Sequence, residues 1–318
     1  MSAAAKVTLK AIQAAIKFID AVVLVIILFF IAADCYAAWD SRQAYEWAKA
    51  SHYEIYKPAA ATQNYSFKEL QEINPDVFGW LTVYGTHIDY PIVQSSDNVK
   101  YVNTNALGRY SLSGAIFLDT RCSKDFSDFS SILYGHHMEK QAMFGEIGLF
   151  AQKDYFDARR YGKLYYGGKE HGLEFIAFVH CDAYDTTVFR TQITGREAQK
   201  PYLNLLYKKA TYTRSVRATA DDRIVLLSTC SSGSTNGRDI LVGRITDELY
   251  EDIFKTTEKG NGLTVDTLYG IWEWLAAWAK IAVIILPLLL LILFFMIHKR
   301  QIQRKCGYER PDKGDEQL

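Results

Sequence analysis

The sequence predicts a mainly β domain with helical inserts, an eight-stranded β-barrel flanked by one transmembrane helix at each end. Three observations lead there. Between residues 79 and 245, eight short runs rich in β-branched and aromatic residues are broken by Gly, Asn, Asp and Ser. Two segments with helical spacing interrupt those runs. Apolar residues are also concentrated in two long stretches, one near each end of the chain.

From the amino terminus, residues 1–17 read as a cytoplasmic tail: Lys6, Lys10 and Lys17 occur with no acidic residue among them. Residues 18–38 form the first span. About twenty helical residues cross a hydrocarbon core, and Ala21 to Ala33 carry no charge, with Asp20 and Asp34 near the edges. A cleaved signal peptide is the alternative, opposed by the long lead and the lack of a clean small-x-small cleavage pattern. Residues 39–69 read as an extracellular helical stalk, with a helix over Asp40 to Lys57 and a linker from Pro58 to Thr62.

The barrel occupies residues 70–250. Its strands are expected at Gly79 to Tyr84, Ile88 to Val93, Gly114 to Leu118, Ser131 to Tyr134, Lys163 to Tyr166, Leu173 to Val179, Ile224 to Leu227 and Ile240 to Ile245. Helical inserts are expected around Met143 to Arg159 and Arg196 to Tyr212. In the second, Tyr202, Leu203, Leu206 and Tyr207 share a face that either walls a groove or packs on the barrel. A linker, 251–270, leads to a second span over residues 271–297. This span contains Pro287, which membranes tolerate, and Trp272, Trp274 and Trp278 at one end. His298, Lys299, Arg300, Arg304 and Lys305 follow in a second cytoplasmic tail, 298–318. The expectation is a two-pass cell-membrane protein with both termini inside and residues 39–270 outside.

Composition narrows the function. Thirty-six basic residues balance thirty-six acidic ones among 318, which argues against nucleic acid as the main partner. Five cysteines are too few and too scattered for a disulfide framework or a CxxC zinc site. Cys35 and Cys306 lie beside or beyond the spans; Cys122 and Cys181 could pair, though nothing in the sequence demands it. His180-Cys181-Asp182 makes a poor metal site, because consecutive strand residues point to alternating sides. No metal and no cofactor is expected.

The remaining cysteine, Cys230, follows the apolar run Ile224 to Thr229 and precedes a polar loop, Ser231 to Gly237. A thiol at a strand end is accessible while its backbone is held, as a thiolate nucleophile requires; a structural cysteine remains an equal reading. His136 and His137 end another apolar strand after Gly135, whose missing side chain allows close approach of a neighbour. Only one of the two can face a given site, and spacing does not choose between them. Arg238 closes the loop after Cys230, where a guanidinium could hold an oxyanion or simply be solvated.

Together these residues resemble a known family. Leu227-Ser228-Thr229-Cys230 followed by Arg238 resembles the cysteine and arginine signature of sortases, and Tyr134-Gly135-His136-His137-Met138 with Met143-Phe144-Gly145 resembles the class B histidine motif. Asn74 to Leu81, Ile88 to Gln94, Lys100-Tyr101 and Gly114 to Asp119 stand in the family's order, so the resemblance covers about residues 70–248. It implies a sortase-type barrel and a cysteine transpeptidase with Cys230, His136 and Arg238 as catalytic residues and Ser228 and Thr229 as substrate-binding residues. The implied partners are surface or pilin proteins bearing a carboxy-terminal sorting signal. An amine of a peptidoglycan precursor or of a pilin lysine would be the acceptor, in wall anchoring or pilus assembly at a Gram-positive surface. The chain departs from the family twice: the loop between Cys230 and Arg238 lacks the acidic residue that some class B members carry just after the cysteine, and a second span is more similar to class C members, although no DPW-like segment precedes the barrel. Two other classes stand against this reading. A papain-like or NlpC-like hydrolase would place its cysteine at a helix start and before the histidine, whereas here His136 comes first. A non-catalytic membrane-tethered binding barrel would not need all three residues.

Overall fold

A computed structural model describes residues 3–58, 65–230 and 236–255. The expected second span, 271–297, lies outside the described residues.

Nine strands form one sheet: β1 (Val77–Val83), β2 (Asp89–Val93), β3 (Ile116–Leu118), β4 (Ser130–Tyr134), β5 (Tyr161–Tyr166), β6 (Lys169–Asp182), β7 (Ala210–Thr213), β8 (Arg223–Cys230) and β9 (Gly237–Thr246). The order is β5-β1-β2-β3-β4-β8-β9-β6-β7, and β5 also pairs with β6. That extra pairing closes eight strands into a barrel, which removes the open edges a flat sheet would leave. All eight expected strands are the ring strands. The ninth, β7, pairs with β6 beyond the end of β5, where Ala177 and Phe178 face Thr213 and Tyr212. The sequence pattern instead predicts a helix that runs on through Ala210 to Tyr212.

Side chains alternate along the ring strands between two cores. The inner one draws on every ring strand, through Leu81, Ile92, Phe117, Leu133, Leu164, Phe175, Leu227 and Leu241. The outer one lies on the far side of part of the same sheet and comprises Ile132, Ile176, Val179, Ile224, Leu226, Ile240 and Val242. Helix α4 (Arg196–Lys209) covers it with Tyr202, Leu203 and Leu206, all buried. This face of α4 therefore packs on the barrel. The Tyr202 hydroxyl donates to the Val188 carbonyl at 2.7 Å, fixing the segment ahead of the helix.

The expected helix around Met143 to Arg159 is instead a turn, a 3-10 segment at Ile147–Ala151 and a short α3 (Lys153–Ala158). Met143 has φ 54°, and a Cβ on Gly145 would fall 2.1 Å from the Met138 carbonyl oxygen. A continuous helix cannot pass through that turn. Near the start of the barrel, α2 (Tyr65–Ile73) packs Phe67 and Leu70 into the inner core.

The first helix, α1, runs unbroken from Ala3 to Ala48, about 69 Å at 1.5 Å per residue. Within it, Ala11–Ala37 is long and apolar enough to cross a membrane, and none of its most apolar window is buried. Side chains such as Phe18, Phe29 and Phe30 face outward, the profile of a membrane-anchoring helix rather than of a core helix. The expected stalk helix is the continuation of α1, which ends at Ala48 and gives way to 3-10 turns at Ala50–His52 and Glu54–Tyr56. Ala48 and Tyr53 are buried in the inner cluster. On β2, the Tyr90 hydroxyl donates to the Ala48 carbonyl at 2.8 Å and accepts from the Met143 N–H at 2.9 Å. One buried hydroxyl thus joins the stalk, the barrel wall and the turn after β4. Tyr90→Phe strands both partners without a substitute, so it should lower unfolding stability by about 1–3 kcal/mol, read as a lower urea midpoint.

Candidate active site

Strand register determines which side chains can meet. In the antiparallel β8–β9 pair, Cys230 is directly opposite Arg238, and opposed residues point to the same side of a sheet. Ile224 and Leu226 on β8, and Ile240 and Val242 on β9, belong to the outer core. By alternation Cys230 and Arg238 are on that outer side, past the end of the core. Cys230 is exposed and Arg238 half-buried, with its Nη1 donating to the Gly237 carbonyl at 3.1 Å.

The neighbouring strand bears on which of the two histidines could face the thiol. β4 runs parallel to β8 with Tyr134 aligned to Ser228, and the Gly135 N–H donates to the Ser228 carbonyl at 3.2 Å. Ile132 is in the outer core and Leu133 in the inner. Carried two residues past the end of β4, the same alternation would put His136 on the Cys230 side and His137 on the inner side. In agreement, His137 Cε1 and Asp239 Oδ2 both lie within 4 Å of where a Cβ on Gly148 would sit. His136 is half-buried, and its Nε2 is 2.8 Å from the Val102 carbonyl oxygen. That bond is to the backbone. Gly135 is small for a visible reason: a Cβ there would fall 2.5 Å from Ile116 Cδ1 and 2.8 Å from Phe144 Cδ2.

The two residues before the thiol, Ser228 and Thr229, are buried. Ser228 shares the outer side with Cys230, and Thr229 points inward opposite Asp239. Asp239 is itself buried and accepts from His180 Nδ1 at 2.8 Å, tying the start of β9 to β6. Cys181 pairs with Arg238 on the other edge of β9. Burial pushes its thiol up to about 11, and burial does the same to Cys122. Both are free, protonated thiols at neutral pH. Cys230 is accessible and they are not.

Beside the strand ends is a cleft of about 430 Å³ lined by Arg121, Phe189, Arg190 and Thr191, among others. The Phe189 ring packs on Tyr134, centroids 6.4 Å apart, which places the cleft next to the outer side of β4. Arg121, in its lining, donates to both oxygens of the buried Asp119 at 2.9 and 2.7 Å. Burial pushes that carboxyl up, but hydrogen bonds from Arg121 outweigh the effect and hold it below the ordinary range. Tyr134 donates to Asp119 Oδ2 at 3.1 Å. The sequence reading missed Arg121, Phe189, Arg190 and Val102. The first three sit in loops without pattern, and Val102 contributes only a backbone atom.

No family model matches the chain, whereas individual proteins do. The Sortase B of Listeria monocytogenes is 32% identical over 203 residues, which is 60% of this chain and 80% of that protein. Among solved structures, the sortase B from the Type II pilus of Streptococcus pneumoniae is 45% identical, with a TM-score of 0.51 over 57% of this chain and 99% of that one. A Streptococcus pyogenes class B sortase involved in pilus biogenesis is 38% identical, with a TM-score of 0.52 over 56% and 97% of the two chains. The identity extends over nearly the full length of these domains and coincides with a closed eight-stranded barrel that ends in an accessible thiol. On those grounds the chain belongs to the class B sortases and is a sortase-type cysteine transpeptidase.

Proposed function

We propose that the protein is a membrane-tethered transpeptidase that cleaves the carboxy-terminal sorting signal of surface proteins through Cys230 and passes the acyl group to a lysine amine of a pilin subunit. The observation that carries the chemistry is the direct opposition of Cys230 and Arg238 across β8 and β9, with His136 two residues past the end of the adjacent strand β4. The preference for a pilin acceptor is supported by the 45% and 38% identity to two pilus-associated class B enzymes.

In this reading the Cys230 thiolate attacks the carbonyl carbon of the signal's threonine. Negative charge moves onto the carbonyl oxygen, where the Arg238 guanidinium stabilises it more than it stabilised the neutral carbonyl. The carbon–nitrogen bond then breaks, and protonated His136 gives its proton to the departing amine, leaving a thioester on Cys230. An incoming neutral amine attacks the thioester and loses a proton to His136 while Cys230 leaves as thiolate. Both groups return to their starting states. The signal peptide would lie in the cleft lined by Arg121, Phe189 and Arg190 and reach the thiol on the outer side of β8; Thr229, buried and turned inward, does not face that path, contrary to the expectation that it binds substrate.

A tether fits this chemistry, because an enzyme and substrates confined to one surface meet at raised effective concentration. Helix α1 supplies the anchor. The apolar stretch at 271–297 would add a second crossing, with the basic residues beside each stretch keeping both termini cytoplasmic and residues 39–270 outside.

The test is to incubate the full-length chain in detergent with a library of peptides bearing a fixed threonine, offering Nα-acetyl-lysine amide or triglycine as acceptor, and to identify products by mass spectrometry. Lysine adducts in excess are expected; exclusive triglycine transfer would favour wall anchoring instead. Cys230→Ala should abolish both the thioester mass and turnover, and any residual turnover there would refute the nucleophile. Arg238→Lys keeps the charge but loses the planar fork, and should lower kcat/KM by about 10²–10³, the cost of one oxyanion donor.

A further inference from the structure

The hydrogen bond made by His136 points to an orienting group beyond the three side chains already discussed. Its Nε2 lies 2.8 Å from the Val102 carbonyl oxygen. A carbonyl only accepts, so Nε2 carries hydrogen whether the ring is neutral or charged, and Nδ1 is left as the nitrogen that gains and loses a proton. In many enzymes of this type the acid–base group is itself oriented by a third group. Here that group would be a backbone atom.

A backbone carbonyl can serve this purpose only if it is held, and Gly114 holds it. Gly114 has φ +60°, and a Cβ added there would fall 2.4 Å from the Tyr101 carbonyl oxygen and 2.6 Å from the Val102 carbonyl oxygen. Its missing side chain lets the segment before β3 close on the 3-10 turn Lys100–Val102. The Ala115 N–H then donates to the Tyr101 carbonyl at 3.0 Å, and the Gly114 N–H donates to the Ser111 carbonyl at 3.0 Å. Any β-carbon at this position must displace the acceptor of His136.

We propose that the Val102 carbonyl, kept in place by Gly114, is the orienting partner of His136, fixing the proton on Nε2 so that Nδ1 exchanges protons with the substrate amines. The inference rests on the acid–base role of His136 proposed above. As the scissile carbon–nitrogen bond breaks, the proton on Nδ1 passes to the departing nitrogen. As the new carbon–nitrogen bond forms and the carbon–sulfur electron pair returns to Cys230, the incoming amine's proton passes to Nδ1. Gly114 is a positioning residue in this scheme, and it touches no substrate.

The test compares Gly114→Ala with Gly108→Ala in the full-length chain in detergent. Gly108 lies in the same connection, has φ +75° and has nothing within 4 Å of a would-be Cβ, so it reproduces the backbone strain without the displacement. The acyl donor is the threonine-containing library peptide that the wild type turns over fastest, and the acceptor is Nα-acetyl-lysine amide. Gly114→Ala should lower kcat by about tenfold or more, the loss of one hydrogen bond to a charged group, with KM within about twofold. Gly108→Ala should keep both within about twofold. In the wild type labelled with ¹⁵N-histidine, neutral His136, assigned by its absence in His136→Ala, should carry its proton on Nε2. In Gly114→Ala that proton should exchange with water about tenfold faster. Wild-type kcat in Gly114→Ala, equal losses in the two glycine variants, or a neutral His136 protonated on Nδ1 would each overturn the inference. If Gly114→Ala does not fold, the wild-type spectrum decides alone. Undiminished turnover in His136→Ala would instead overturn the role of His136 itself, and the inference with it.

Discussion

Parity within a closed sheet is the constraint on which the site depends. A strand can present a residue to one side or the other, and a slip of one position reverses every side chain. In this barrel the inner core is packed from all eight ring strands, so no strand can slip without turning its apolar residues outward. Register across β4, β8 and β9 is fixed by burial several residues before the strands end. Cys230 and Arg238 then share a side as a consequence of Leu227 and Leu241 sharing the other. The apolar core and the polar chemistry are two results of one alternation.

The loops contribute what the alternation cannot. β2 and β3 are parallel neighbours, as are β4 and β8, and parallel strands need long crossovers. The crossover between β2 and β3 brings the Val102 carbonyl to the imidazole, and the segment after β6 brings Phe189 and Arg190 to the cleft. Both are secured by buried side chains far along the chain: Asn74 bonds Tyr101 and the Ala106 carbonyl, and Tyr202 bonds the Val188 carbonyl. Binding surfaces built on loops depend on such scaffolding.

The sequence made the ring legible because each of its strands carries an apolar run long enough to show. β7 stayed hidden: Ala210 to Thr213 are alternately half-buried and exposed, follow a helix without a break, and pair only with one edge of β6. The segment 143–159 misled for the opposite reason. Its apolar spacing suits a helix, and only the positive φ at Met143 and the close approach at Gly145 forbid one. Cys230, His136 and Arg238 were legible as residue types at strand ends, but spacing left His136 and His137 open, and it was the resemblance of the Tyr134 to Met138 run to a family motif that pointed to His136. Arg121 and Phe189 gave no signal, since their importance comes from a fold that joins residues about seventy positions apart.

The continuity of α1 sets a working height. From Ala37, where its apolar part ends, to Ala48, where it docks beneath Tyr90, the helix has eleven more residues, about 16 Å of rise. A flexible linker of the same length would leave that distance open. A continuous helix seated against the barrel instead holds the end of the apolar stretch at one distance from β2, so whatever grips that stretch also fixes how far away the barrel stands.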